Sequence, residues 1–379
     1  MGKKLRIGVI FGGRSGEHEV SIRSAASVIE AIDRKKFEVV PIAISREGKW
    51  LSPAEASQLL PATSQSLLTL KSGFEEAASV AIFGDPSQKG LKSFDRAGAA
   101  STSEKLDVVF PILHGPFGED GTIQGLLEMA DVPYVGCGVL ASACGMDKVA
   151  MKLLFAQAGL PMCKYIWFLR AHWQNDPAAI IMNVVRKLGF PCFVKPANLG
   201  SSVGISRADD KASLQRAIEL AAQYDRKIVV EEAVDAREIE CAVIGNNEPR
   251  ASLPGEYVVH DESARFLDYT EKYDKTGHVE FVVPAPISKS LTEKLQRMAI
   301  KAFQSIDGAG LARVDFFLKR DSKELLINEL NTMPGLTEVS GYPKMWGTSG
   351  LNYTQMIDAL VELAFERHRE KALNKTSRT

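Results

Sequence analysis

The chain is poor in every feature that would tie it to a disulfide framework, a membrane or a nucleic acid. Its 379 residues hold 5 cysteines, an odd number with no C-x-x-C pair, which points to reduced thiols in a cytoplasmic protein. No apolar run is long enough to span a bilayer. The opening MGKKLRIGVIFGG, broken by Arg6 and glycines, is too short for a signal peptide and reads as a first strand. Arg6 also stands where a myristoylation signal needs Ser or Thr. Lys plus Arg (46) nearly cancel Asp plus Glu (47), so a net charge of -1 gives no basic excess to follow a phosphate backbone. The basic cluster ERHREKALNK alternates with acids after an amphipathic run, as a solvated helix end does. Internal repeats and the G-x-x-x-x-G-K-[ST] loop are both missing. With 45% hydrophobic and 25% charged residues, what remains is a globular protein of two or three domains.

What is present is patterned. Through the first third, LRIGVIF, the helical EVSIRSAASVIEAI, FEVVPIAI, LDVVFPIL and TIQGLLEMA alternate strand and helix signals and predict an open α/β sheet. Between Pro61 and Lys105 the periodicity weakens, and the segment reads as a surface insertion with one hairpin. A helix over DKVAMKLLFAQAG closes at Gly159. Strands FPCFVKPA, KIVVEEAV and EIECAVIG then flank the helical KASLQRAIELAAQY, with Cys241 read as core packing. A third unit carries the helix LTEKLQRMAIKAFQSI, two acidic strands and the closing helix YTQMIDALVELAFERH. HDESARFLDYTEKYDKTGH shows neither period and reads as a loop.

Three glycine-rich stretches and the acidic strands carry the chemistry. In KPANLGSSVGISR, Gly200 and Gly204 let backbone N–H groups approach a phosphate, Ser201 and Ser202 add hydroxyl donors, and Lys195 supplies a cation at the strand end. A plain hairpin turn is the competing reading. In VIFGGRSGEHEVS the glycines at 12, 13 and 16 do not form G-x-G-x-x-G, which disfavours a dinucleotide fold. Glu17 and Glu19 enter a helix N-terminus, where acids can serve simply as caps. HGPFGEDGTIQG places His114 at a strand end, where open α/β sheets bind ligands.

GLARVDFFLKR and LLINELNTMPG are joined by the turn KRDSKE, which brings Asp315 beside Glu329 and Asn331. Residues two apart on a strand share a face, so Glu329 and Asn331 can serve one target. Two like charges near 4 Å repel by about 4 kcal/mol at a surface-like dielectric, and a hard divalent ion reverses that sign. Oxygen donors without His or Cys favour Mg²⁺ or Mn²⁺ over zinc, shared with nucleotide phosphates. Neutralisation by Arg313 and Lys319 explains one carboxylate but not the Asn.

Taken in order from about Leu5 to His368, GGRSGEHEVS, HGPFGEDG, MDK, KPANLGSSVG, ARVDFF and INELNTMPG resemble the D-alanine–D-alanine ligases of the ATP-grasp superfamily. The resemblance implies an α/β fold (α+β in the ATP-binding part). An N-terminal open parallel α/β sheet domain (1–139) would precede a two-lobed ATP-grasp fold, with a central lobe (140–230) and a C-terminal lobe (231–370). It further implies ATP as substrate, two Mg²⁺ or Mn²⁺ ions, a cytoplasmic homodimer, and a dipeptide product for peptidoglycan precursors. In such enzymes one D-alanine carboxylate attacks the ATP γ-phosphate, and the amine of a second D-alanine attacks the resulting acyl phosphate.

By that resemblance Lys148 and Lys195 hold phosphates, Glu231 with the backbone near Ala233 and Val234 reads adenine, and Glu238 takes the ribose hydroxyls. Glu17 pairs with the ammonium of the first D-alanine, near His114, where an incoming cation favours a carboxylate over a mere cap. Arg313 and the Gly335 N–H face the developing oxyanion, and Ser340 takes the second D-alanine carboxylate. DYTEKYDK would form a lid, with Lys272 on the γ-phosphate and Tyr273 bonded toward Ser201 and Glu17, the arrangement that accompanies D-alanine as acceptor. Closure would keep water from the acyl phosphate. Gly16, Gly341 and Met333 depart from the usual residues, and Gly341 is expected to loosen the frame around Ser340. D-alanine–D-lactate and D-alanine–D-serine ligases share the fold. Outside the family stand an NAD-dependent oxidoreductase and a non-catalytic nucleotide-binding protein.

Overall fold

Strands buried on both faces read as continuous apolar runs, and the first two runs are buried almost end to end. In the computed structural model, which describes residues 3–68, 77–88, 90–200, 203–259 and 279–375, they form β1 (Leu5–Gly12) and β2 (Phe37–Ile44). These pair in parallel, and the short β3 (Trp50–Leu51) adds antiparallel at the edge. The segment from 61 to 105 supplies β4 (Ser79–Ile82), β5 (Leu91–Phe94) and β6 (Ala100–Glu104), an antiparallel sheet of two hairpins rather than the one expected. Nor is it a mere surface piece, because Val80, Ile82 and Leu91 share a core with Ile10 and Ile42. Its strands are too short, and too rich in Ser, to show their period-2 pattern. β7 (Val108–Pro111) returns to β1, giving the order β3-β2-β1-β7.

Helices α1 (His18–Ala31), α2 (Pro53–Gln58), α3 (Ala62–Gln65) and α4 (Thr122–Met129) belong to this first unit. α5 (Val139–Met146) and α6 (Lys148–Gln157) then meet at Asp147. The Asp147 carboxylate accepts from the Val149 and Ala150 N–H groups at 2.9 and 3.1 Å, capping α6 and fixing Lys148 at its first position.

A second sheet is antiparallel, in the order β10-β9-β11-β8. It comprises β8 (Tyr165–Leu169), β9 (Cys192–Pro196), β10 (Ser206–Ala208) and β11 (Lys227–Glu232), packed against α7 (Arg170–Asn175), α8 (Pro177–Lys187) and α9 (Lys211–Tyr224). The expected lobe boundary at 230/231 falls inside β11.

The third sheet runs β15-β14-β12-β16-β17, with β13 beside β12. Its strands are β12 (Ala236–Gly245), β13 (Arg250–Ala251), β14 (Gly255–Val259), β15 (Val279–Val282), β16 (Gly310–Lys319) and β17 (Leu325–Asn331), backed by α10 (Lys289–Ser305). EIECAVIG, read from sequence with the second unit, is therefore β12 of the third. β16 alternates strictly: Val314, Phe316 and Leu318 enter the core, while Arg313, Asp315 and Phe317 face the other way. β17 pairs Asp315 with Glu329 but Phe316 with Ile327, a β-bulge that leaves Asn328 as the extra residue.

Finally α11 (Gly341–Thr348) and α12 (Tyr353–Lys371) return to the first sheet, where Tyr342, Trp346 and Leu360 share one core with Val9, Phe11 and Val108. Among the described residues no helix is long and apolar enough to cross a membrane.

Gly12 ends β1 at φ +88°, and a Cβ there would come within 2.3 Å of the Ile44 carbonyl oxygen. Gly12→Ala should therefore destabilise the protein by at least about 1–3 kcal/mol through left-handed strain. A lowered urea midpoint reads the effect.

Candidate active site

The open face of the third sheet forms one wall of a cleft whose opposite side comes from the first unit and from the start of α6. Alternation sets that wall. Glu240 on β12, Asp315 on β16 and Glu329 on β17 are direct cross-strand neighbours, a row of three carboxylates. Like charges placed so are unfavourable unless cations answer them. Arg313 answers in part: its Nε and Nη2 donate to the two oxygens of Asp315 at 2.7 and 2.6 Å, and its Nε lies 3.4 Å from Glu240. Lys148 stands 4.0 Å from Glu329 and donates to the Leu199 carbonyl at 2.6 Å, tying α6 to the glycine-rich loop. Burial pushes the Glu329 carboxyl up, but Lys148, Lys195 and Arg313 outweigh it and hold the group below its ordinary value. Burial likewise lowers the Lys148 ammonium, and Glu329 opposes that shift only in part.

Close to Glu329 lies a buried charge cluster. Glu231 on β11 accepts from Lys195 at 2.9 Å and pairs with Lys152 of α6 at 3.1 Å, Lys152 being 1% exposed. Burial raises the Glu231 pKa, yet the two lysines bring it down to about 2. Lys195 is held above its ordinary value, against burial, by Glu231 and Glu329.

At the far end of the cleft Glu17 occupies the N-cap of α1, and its side chain makes no capping hydrogen bond. It faces the glycine loops instead, since a Cβ on Gly115 or Gly200 would sit 3.1 or 3.3 Å from its Oε2. Glu19 has turned outward to Arg46, 2.8 Å away. His114 Nδ1 donates to the Met333 carbonyl at 3.1 Å, and Glu119 lies 3.9 Å away. Burial lowers the His114 pKa, but Glu119 outweighs it and the net shift is upward.

Of the residues singled out from sequence, Glu17, His114, Lys148, Glu238, Arg313, Asp315, Glu329, Asn331 and Gly335 all line this cleft. Lys195 and Glu231 are not in its lining and pair with each other on the second sheet. The Ala233 N–H donates to the Pro191 carbonyl at 3.1 Å, and Val234 follows it beyond the end of β11. Ser340 is off the wall: its buried hydroxyl bonds Thr337 Oγ1 at 2.7 Å at the head of α11. Ser201, Ser202, Lys272 and Tyr273 lie outside the described residues.

Family models described as D-ala D-ala ligase N-terminus and C-terminus match residues 6–137 and 154–362. The chain belongs to the D-alanine–D-alanine ligase family. Among similar ligases are those of Natranaerobius thermophilus, 46% identical over 99% of this chain and 98% of the relative, and Geobacillus kaustophilus, 49% identical over 97% and 96%. The solved D-alanine-D-alanine ligase of Coxiella burnetii aligns with TM-score 0.79 at 33% identity, over 98% of this chain and 97% of its own. VanG D-Ala:D-Ser ligase from Enterococcus faecalis aligns with TM-score 0.81 at 37% identity, over 96% and 100%. The structural neighbours bear out the fold class, ATP-grasp with open α/β sheets.

Within this ligase the donor set Asp315, Glu329 and Asn331 fits a hard divalent ion. All three sit on adjoining strands of one wall, and Asn331 Nδ2 approaches Asp315 at 3.4 Å, so an amide flip would aim its oxygen at the same point. Among the described residues no group of three His, Cys, Asp or Glu side chains is gathered for a metal, and this donor set draws on an Asn amide as its third member.

Sequence reading missed Lys152, Glu119 and Glu240. Lys152 follows Lys148 by one helical turn, and Glu240 follows Glu238 by two strand positions. Those spacings were the available signals.

Glu231 titrates with a definite sign. Its depressed pKa contributes stability that is complete above the ordinary 4.5 and is lost as pH falls through about 2, while Lys195 stays charged throughout. Glu231→Gln should therefore lower the melting temperature at neutral pH. The gap from wild type should narrow between pH 4.5 and 2, as melting curves across that interval would read.

Proposed function

We propose that this chain joins two D-alanine molecules through a D-alanyl phosphate, converting ATP to ADP and phosphate. The observation that carries the reading is the juxtaposition, in one cleft, of the phosphate-seeking Lys148, the oxygen donors of β16 and β17, and the carboxylate of Glu17. A charged nucleotide and an amino acid together would satisfy all three.

Glu17 takes the ammonium of the first D-alanine, with His114 alongside. Lys148 and Lys195 hold phosphates, helped by Ser201 and Ser202, and Glu238 takes the ribose. Because the Ala233 N–H is engaged by Pro191, Val234 is the better backbone donor to adenine. Asp315, Glu329 and Asn331 hold Mg²⁺ or Mn²⁺, which when bound neutralises phosphate charge. Arg313 and the Gly335 N–H face the oxygen that turns anionic when the second amine attacks. One such donor is worth about 3–4 kcal/mol of barrier. Ser340 serves the second carboxylate by turning its hydroxyl away from Thr337, and Lys272 and Tyr273 close over the site. The proposed setting is a cytoplasmic homodimer of three units, divided near residue 139 and, in place of 230, just after β11, that supplies dipeptide for peptidoglycan precursors. The likeness to a D-Ala:D-Ser ligase makes the acceptor the point to test.

Purified protein given ATP, Mg²⁺ and D-alanine is expected to release phosphate and D-alanyl-D-alanine, with L-alanine, D-serine and D-lactate poor substitutes. No D-alanine-dependent phosphate release would overturn the reading, and a faster reaction with D-serine or D-lactate would reassign the acceptor. Glu329→Gln should cut turnover by about 100-fold or more while the protein still folds, as a cooperative melting transition would show. Undiminished turnover in that variant would remove the metal assignment.

A further inference from the structure

Arg313 faces two carboxylates with different prospects. Asp315 binds it through both oxygens, at 2.6 and 2.7 Å, yet the same oxygens are wanted by the divalent ion. Glu240, 3% exposed and directly across from Asp315 in the sheet, stands 3.4 Å from the same guanidinium. An ion that draws on Asp315 loosens its hold on Arg313, and Glu240 is placed to keep the guanidinium on the cleft wall.

Room for Glu240 comes from an unexpected place. A Cβ on Gly341, at the head of α11, would lie 2.8 Å from Glu240 Oε2 and 2.9 Å from Phe281 Cζ. Both atoms are the ends of side chains, so a methyl there displaces the carboxylate without breaking the backbone. Gly341 thus leaves room that any side chain would take from Glu240.

We propose that Glu240 is a positioning residue that shares Arg313 with Asp315, so that Asp315 can ligate the ion while Arg313 stays aimed at the reacting acyl oxygen, and that Gly341 supplies the space it needs. The inference rests on the ligase reading for its kinetic consequence, whereas its effect on metal affinity can be measured without turnover.

The test compares wild type, Glu240→Gln, Gly341→Ala and the double variant. Mn²⁺ affinity in the presence of ADP is followed by electron paramagnetic resonance, alongside steady-state kinetics and melting temperature. With the charge at 240 removed, Arg313 leans fully on Asp315 and competes with the ion. Glu240→Gln should weaken Mn²⁺ binding about tenfold, in the range typical of residues that orient metal ligands. Its kcat should fall by up to about 100-fold, as a misplaced catalytic group does, with KM for ATP within about twofold. Gly341→Ala should move both quantities in the same direction while keeping every charge. In the double variant it should add little to Glu240→Gln, because the two act through one carboxylate. Wild-type Mn²⁺ affinity and kcat in Glu240→Gln, or fully additive losses in the double variant, would overturn the inference. Should Glu240→Gln fail to fold, Gly341→Ala decides, and wild-type values there would sink it. If the wild-type protein itself releases no phosphate with D-alanine, the ligase reading fails, and the Mn²⁺ measurements still judge the sharing of Arg313.

Discussion

Charge balance in and beside the cleft governs this structure. Glu231, Glu240, Asp315 and Glu329 are set against Lys148, Lys152, Lys195 and Arg313, with several pairs at hydrogen-bond distance. Buried ion pairs add little net stability, since desolvation offsets their attraction, but removing one member strands its partner at a cost of about 3–5 kcal/mol. Such a cluster is therefore fixed in composition while remaining adjustable in pairing. A polyphosphate can enter by exchanging partners with charges already in place, without any group having to be ionised on arrival.

The two ends of the cleft come from distant parts of the chain. His114 bonds the Met333 carbonyl, and the Leu336 N–H donates to Ser24 Oγ at 3.4 Å, so the loop after β17 is pinned to the first unit. Helices α11 and α12 complete that link by packing on the parallel sheet. The Glu17 and His114 end of the cleft is thus tied to the junction of the first and third sheets, while the Lys148 end meets the loop after β9 through the Leu199 carbonyl.

Much of this could be read directly from residues. Period-2 alternation and a short polar turn placed Asp315 beside Glu329 and Asn331, and apolar runs gave the parallel sheet. Asp147 and Lys148 announce a cap followed by a cation. What stayed hidden depends on tertiary approach. Nothing local in the Ser-rich strands around residues 79–104 reveals their antiparallel pairing or their share of the core. Lys152 looks like an ordinary solvated helix lysine until β11 brings Glu231 against it. Ser340 reads as an available hydroxyl, but its bond to Thr337 appears only once the turn before α11 is formed. Gly341 looked like slack, and it proved to be clearance for Glu240.

One extra residue in β17 decides which chemistry the third sheet displays. Were Asn328 drawn into regular pairing instead of being set aside in the bulge, the alternation beyond that point would invert, turning Glu329 and Asn331 into the hydrocarbon layer beneath and Leu330 out into the cleft. The residue set aside gives up its place in the ladder so that Ile327 and Leu330, three apart, both reach the core while Glu329 and Asn331 stay on the open face.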